Sequence, residues 1–321
     1  MSLKPTVVSI QGHARSGSTI LDILLGQSYD VVSTGELCNF YRFAYIEPQY
    51  CSCGTLAKDC DFWAPVSAEM ASRLGHEDFI RLARRQSNFE RHRYLPKHLI
   101  RPRRRDPDET AYLEQTVALY QSVLEVSGRQ IVVDSSKRPI RLFWLRQLAE
   151  AGEIDLKVIS IIRDGRGVAW SLKPAWVKDP KVGKQVNYRG RSTLHTSFTW
   201  VFNGIENEIV TRGMTSETCR VVRYEDLCAD PVRIMEQLAR FLGVSPDPMI
   251  ASVLYPERGL RKGHLVAGNR MRMAKSLKFQ PDVEWMEKMP KSERLVFWLL
   301  AGWYARRRGY SADGLRLSGD A

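Results

Sequence analysis

The chain opens with an apolar run, Thr6-Val7-Val8-Ser9-Ile10-Gln11, that breaks at Gly12 and gives way to Ile20, Leu21, Leu24 and Leu25 on one helical side. This predicts a buried strand, a glycine turn and a helix. The pattern returns at Ile131 to Val133, followed by Asp134-Ser135-Ser136-Lys137-Arg138-Pro139 and the apolar Ile140, Phe143, Trp144 and Leu148. It returns again at Leu156 to Ile162, before Arg163-Asp164-Gly165-Arg166. Val31 to Ser33 and Cys219 to Val222 read as two more strands. Short β-branched runs alternating with helices predict the α/β class, with a parallel sheet covered on both faces.

From about residue 45 to about 128 the pattern changes. Cysteines cluster at 51, 53 and 60, a basic stretch runs from Arg81 to Arg105, and a helical period follows through Leu113, Val117, Tyr120 and Leu124. We read a single domain over 1–321 with a mostly helical, basic insertion there. Phe198, Phe202, Ile205 and Ile209 carry a later helical period. There is no internal repeat, and the tail from Ser311 is polar.

The 48 Lys and Arg against 36 Asp and Glu give a net charge of +12, which calls for an anionic partner. Charge alone does not separate nucleic acid, a phosphorylated nucleotide and an acidic polymer. The 44% apolar content excludes a disordered chain, and six scattered cysteines do not make a secreted disulfide framework. The richest apolar stretch, Leu295 to Trp303, is about half the ~20 residues a bilayer requires. With no leader visible after Met1, the expectation is a cytoplasmic protein without a transmembrane segment.

Gly12-His13-Ala14-Arg15-Ser16-Gly17-Ser18-Thr19 stands between a strand and a helix, where a parallel sheet places its ligand crevice. Such a turn offers backbone N–H groups and the positive end of a helix to an anion. The glycines admit a phosphate closely, the hydroxyls donate to it, and Arg15 adds a fixed charge. A Walker A loop has this spacing but needs Lys where Ser18 stands. A bare turn that caps a helix is the plainer alternative. A second candidate anion site follows the strand ending at Ile162, where Arg163 and Ser171 are about two helical turns apart. There the plainer alternative is an Arg163 paired with Asp164 or a glutamate.

Arg15-Ser16-Gly17-Ser18-Thr19, the segment Arg163 to Ser171, and Arg223-Tyr224-Glu225-Asp226-Leu227 followed by Pro231 and Phe241-Leu242-Gly243 together resemble the sulfotransferase family. The resemblance runs from about Val7 to about Arg272 and is weakest between Glu47 and Gln130. It implies a P-loop-like three-layer sandwich and 3'-phosphoadenosine 5'-phosphosulfate as sulfuryl donor. It further implies that Arg15, Ser16, Gly17, Ser18 and Thr19 cradle the 5' phosphosulfate, and that Arg163 and Ser171 hold the 3' phosphate. Gly268, Asn269 and Arg270 match a closing basic segment near the nucleotide, with Arg261 and Lys262 beside it. Tyr224 matches an aromatic residue near the adenine, and a core tyrosine is an equal alternative. Arg15, where many cytosolic members carry Lys, places the chain nearer the tyrosylprotein and carbohydrate branch.

Sulfuryl transfer needs a base, an aligned acceptor oxygen and positive charge for the leaving phosphate, and no metal. Arg15 is the candidate for charge, Glu36 for base with His13 as substitute, and Lys137 for a site residue of open role. Glu36 has a scaffold alternative, an ion pair with Arg15 or another cation. The Cys51-Ser52-Cys53 and Cys60 spacing is poor for zinc, so free or paired thiols are expected; Cys38 or His76 is the possible fourth ligand otherwise. The basic stretch reads as a solvated face, or else as a surface for an acidic acceptor. The acceptor is a hydroxyl of a sugar, lipid, small molecule or tyrosyl peptide, and no nucleic acid is expected. The competing readings are a nucleotide kinase with a degenerate phosphate loop and a non-catalytic polyanion- or RNA-binding protein.

Overall fold

The computed structural model describes residues 4–75, 78–100 and 105–312. Its strands are β1 (Thr6–Gln11), β2 (Val31–Ser33), β3 (Ile131–Asp134), β4 (Asp155–Ile162) and β5 (Cys219–Arg223). The helices up to β3 are α1 (Ser18–Leu25), α2 (Trp63–Leu74), α3 (Phe79–Phe89), α4 (Leu95–Ile100) and α5 (Pro107–Ser127). Next come α6 (Pro139–Glu150), α7 (Gly165–Leu172) and α8 (Thr193–Thr211). After β5 lie α9 (Tyr224–Ala229), α10 (Pro231–Leu242), α11 (Asp247–Leu254), α12 (Trp285–Lys288) and α13 (Lys291–Arg307).

The sheet is parallel, in the order β2-β3-β1-β4-β5. Alternation along the strands divides the core in two. Val7, Val132 and Val158 pack with Met70 of α2, Leu119 of α5 and Leu145 of α6, whereas Val8, Ile10, Val133 and Ile159 pack with Leu21 and Leu24 of α1 and Leu238 of α10. Helices therefore cover both faces, which is why the inner strands β1, β3 and β4 read as mostly apolar runs, whereas the edge strand β5 carries two arginines and an exposed Val221. β1 lies at the centre with Gln11 opposite Ser160 of β4, so the loop after β1 adjoins the end of β4.

Between β2 and β3 the longest element is α5, started by a capping box of Asp106 and Glu109 and stopped by Gly128 at φ 63°. Its Tyr120 and the α6 residue Arg141 meet a buried charge cluster. Arg141 donates to Asp134 at 2.7 Å and to Glu90, and Tyr120 donates to the same Asp134 oxygen. Removing one member would strand a buried charge, so the cluster fixes the tip of β3 against α3 and α6.

One sequence expectation changes. The helix over Phe198 to Ile209 forms, but Phe198 and Phe202 are 57% and 61% exposed, because α8 packs through Thr196, Ser197 and Trp200. In the basic stretch, Arg81, Arg84, Arg91, Arg93 and Lys97 are exposed, while Glu90 is buried and paired with Arg141. Arg101, Arg103, Arg104, His76 and the tail from 313 lie outside the described residues. No helix among the described residues is long and apolar enough to cross a membrane.

Candidate active site

The loop after β1 needs both of its glycines. A Cβ on Gly12, at φ 143°, would stand 2.2 Å from the Ile161 carbonyl oxygen, and one on Gly17, at φ 93°, would stand 2.4 Å from the Tyr224 ring. Arg15 also takes a left-handed backbone, φ 69°, a strain found mainly at functional sites. Gly17 caps α1 without a side chain, so no side-chain acceptor covers the first N–H groups of that helix. The buried Ser16 hydroxyl has no hydrogen-bond partner among the described residues. An orphaned hydroxyl beside a bare helix N-terminus fits an anionic ligand. Thr19, by contrast, is occupied: its hydroxyl accepts from the Asn269 N–H at 3.1 Å and docks the Gly268–Arg270 segment on the loop.

His13 is buried rather than on the surface. Its ring nitrogens contact the Ala14 carbonyl and the Thr199 hydroxyl, and burial pushes its pKa down to about 4. It is a neutral strut between the loop and α8, outside the wall of the cleft.

Arg163 stands at the end of β4, 4% exposed, and donates to the Arg15 carbonyl at 3.1 Å. The two candidate anion residues thus share one sheet edge. Its partner is Asp282, through the carbonyl at 2.6 Å and the carboxylate at 3.0 Å, whereas Asp164 pairs with Arg166. Tyr224 lies under Gly17 with the Arg163 guanidinium 4.7 Å from its ring centre, and its hydroxyl accepts from the Asp282 N–H. It belongs to the core and does not line the cleft. Ser171 is half-buried on the last turn of α7, also away from the cleft wall.

Glu36 and Lys137 meet at 2.6 Å, which brings together the ends of β2 and β3. Lys137 adopts φ 56° and also donates to the Ser135 carbonyl; the Asn39 amide donates to the other Glu36 oxygen at 3.0 Å. The scaffold partner of Glu36 is therefore Lys137, not Arg15. Beneath them lies Asp22 of α1, fully buried, which accepts from the Ser33 and Ser135 hydroxyls and the Gly35 N–H. One carboxylate thereby ties α1 to the turns that follow β2 and β3. Burial outweighs the three donors and pushes its carboxyl up to about 7. Sequence reading missed Asp22 because it falls among the apolar positions of α1.

These groups face a cleft of about 340 Å³ walled by Arg15, Glu36, Lys137, Gly268, Asn269 and Arg270. Lys184, Arg191 and Arg272 join them, so six cations confront one carboxylate. Trp176 stacks on Tyr188 with ring centres 4.3 Å apart and supports both Arg15 and Arg270. Burial and the neighbouring Arg270 lower the Arg15 pKa, as expected for cations gathered without a counter-ion. Arg272, 4% exposed, donates among the described residues to the Tyr50 and Leu265 carbonyls and the Met273 sulfur, and burial lowers its pKa to about 10. Trp176, Tyr188 and Arg191 have no motif or period to announce them, whereas Arg272 ends the basic segment that carries Gly268, Asn269 and Arg270. Arg261 and Lys262 serve the fold: they donate to the carbonyls of Gln27 and Ala274.

The cysteines also change. Cys51, Cys53 and Cys60 converge with His264, a residue sequence spacing did not bring in, while Cys38 sits elsewhere beside Ser136. All six thiols are free.

Residues 7–248 match the family model described as Sulfotransferase family. Human Carbohydrate sulfotransferase 1 is 30% identical over 114 residues, 33% of this chain and 28% of that protein. Carbohydrate sulfotransferase 3 of Tetronarce californica is 26% identical over 132 residues, 39% and 30% of the two chains. The matched stretches thus span under a third of these curated relatives. The solved sulfotransferase domain from the Curacin biosynthetic pathway aligns over 97% of this chain and 99% of its own, with 16% identity and a TM-score of 0.49. On the family match, which takes in most of its length, the chain belongs to the sulfotransferase family.

Proposed function

We propose that the protein transfers the sulfuryl group of 3'-phosphoadenosine 5'-phosphosulfate to a hydroxyl of a carbohydrate. The donor supplies the activated sulfur and leaves as adenosine 3',5'-bisphosphate. The carrying observation is the bare N-terminus of α1, where Arg15, Gly17, Ser18 and Thr19 line one cleft with the Glu36–Lys137 pair and the orphaned Ser16 hydroxyl lies buried beside them.

Ser16, Gly17, Ser18 and Thr19 cradle the 5' phosphosulfate with backbone N–H groups and hydroxyls. Arg163 takes the 3' phosphate in place of the Asp282 carboxylate, which is 44% exposed and free to swing away. Gly268, Asn269 and Arg270 close over the nucleotide. Glu36 accepts the proton of the acceptor hydroxyl as that oxygen bonds to sulfur and the bond from sulfur to the 5' phosphate oxygen breaks. Arg15 and Lys137 stabilise the negative charge gathering on the leaving oxygen. Asn39 and Lys137 hold the carboxylate in line, an alignment that supplies much of the rate.

The sugar acceptor rests on the relatives' names and on the cleft's surroundings. A second basic hollow, lined by Arg42, Arg91, Arg93 and Arg138, shares Asn39 with the cleft and suits an acidic saccharide. Transfer of labelled sulfate to a panel of neutral and acidic oligosaccharides, tyrosyl peptides and phenols tests this. Labelling of saccharides by wild type and not by Glu36→Gln supports the reading; labelling of phenols or peptides alone rejects the sugar.

A further inference from the structure

Away from the reacting groups, three cysteines and a histidine from distant stretches of chain point their ligand atoms at one another. We propose that Cys51, Cys53, Cys60 and His264 bind one structural zinc ion, which fastens the segment carrying Gly268, Asn269 and Arg270 to the wall of the cleft.

The four ligand atoms all lie within 4.8 Å of one another. His264 Nδ1 is 3.2 Å from Cys60 Sγ and 3.8 Å from Cys51 Sγ, and Cys53 Sγ is 3.6 Å from Cys60 Sγ. Zinc–sulfur bonds of about 2.3 Å and zinc–nitrogen bonds of about 2.0 Å set tetrahedral ligands roughly 3.5–3.8 Å apart. Three of the six edges, at 3.2, 3.6 and 3.8 Å, are close to that size. Three sulfurs and one imidazole form the donor set of zinc, not of magnesium or calcium. Four protein ligands fill the tetrahedron, which makes the site structural.

The ligands are held in place by the fold itself. A tight turn closes Cys51 to Thr55, with Gly54 at φ 96° and its N–H bonded to the Cys51 carbonyl, and this sets Cys51 and Cys53 beside each other despite a spacing unlike CxxC. Cys60 lies three residues before Trp63, the start of α2, and its carbonyl accepts from the Ala64 N–H. Phe62 stacks on the His264 ring, Trp63 donates to the His264 carbonyl at 2.7 Å, and Ser52 bridges the Gly263 carbonyl and the Leu265 N–H. Buried cysteines often pack as small apolar groups. Here, however, Cys53 is exposed and an imidazole nitrogen faces two sulfurs, an arrangement apolar packing does not require. His264 is four residues before Gly268, so a metal at this point fixes the segment that closes the nucleotide side of the cleft.

Elemental analysis of the full-length protein, purified from zinc-supplemented cells without chelator, tests the site. The expected content is about one zinc per chain. Protein grown with cobalt should show tetrahedral d–d bands and a thiolate-to-cobalt charge-transfer band. Titration with an organomercurial should release the zinc and weaken adenosine 3',5'-bisphosphate binding about tenfold, and Cys60→Ser and His264→Ala should lower the zinc content. Because those variants also disturb packing, the wild-type protein decides. Zinc-free protein from supplemented cells with all six thiols reactive in the native state, or a disulfide among Cys51, Cys53 and Cys60, overturns the proposal.

Discussion

Glu36 is held by one cation and one amide, an arrangement that orients a carboxylate while leaving lone pairs open to a proton. Glu36→Gln keeps the shape and removes the base. It should lower kcat about 10²- to 10⁴-fold while leaving the affinity for adenosine 3',5'-bisphosphate unchanged, as single-turnover assays and calorimetry would show. Asp22 yields a different test. Its carboxyl has a pKa of about 7 in the folded protein against an ordinary value of 3.8, so the folded state holds the proton more tightly. Stability then falls as pH rises from about 4 to about 7 and levels off above that. Asp22→Asn, with the Ser33 hydroxyl turned to accept, keeps three hydrogen bonds and should flatten that slope in urea titrations at a series of pH values. An equal slope in the variant would show that Asp22 is not its source.

At the scale of elements, the strands were legible because β1, β3 and most of β4 are buried on both faces, and the ends of all five fall within one residue of the expected ones. The loop over Gly12 to Thr19 was legible because its glycines are required by the close approach of Ile161 and Tyr224. Gly17→Ala should therefore cost about 1–3 kcal/mol in stability and weaken nucleotide binding. Gly243→Ala, at φ 79° with open space around it, should leave binding unchanged. Comparable loss of affinity in both would put the effect down to backbone strain alone. The facing of α8 was not legible, since its Phe198 and Phe202 follow a core period yet point outward. The Trp176–Tyr188 pair and Arg191 were hidden because they come from irregular segments joined only by the tertiary fold. His264 was hidden for the same reason: 204 residues separate it from Cys60.

For the molecule as a whole, a net charge of +12 becomes functional where six cations converge on one cleft. Raising salt shortens the screening length from about 10 Å at 0.1 M to about 3 Å at 1 M, so affinity for adenosine 3',5'-bisphosphate should fall at least about tenfold over that range. A flat response would remove electrostatics as the main source of binding. The central claim is narrower: Arg15 and Arg163, joined through a backbone carbonyl at one sheet edge, hold the two phosphate ends of one nucleotide. Calorimetry of wild type and Arg163→Ala with adenosine 3',5'-bisphosphate and with adenosine 5'-monophosphate tests it most directly. The account predicts that wild type prefers the bisphosphate about 10- to 100-fold and that the variant loses this preference, as expected for one charged hydrogen-bond pair. An unchanged preference in Arg163→Ala would contradict it.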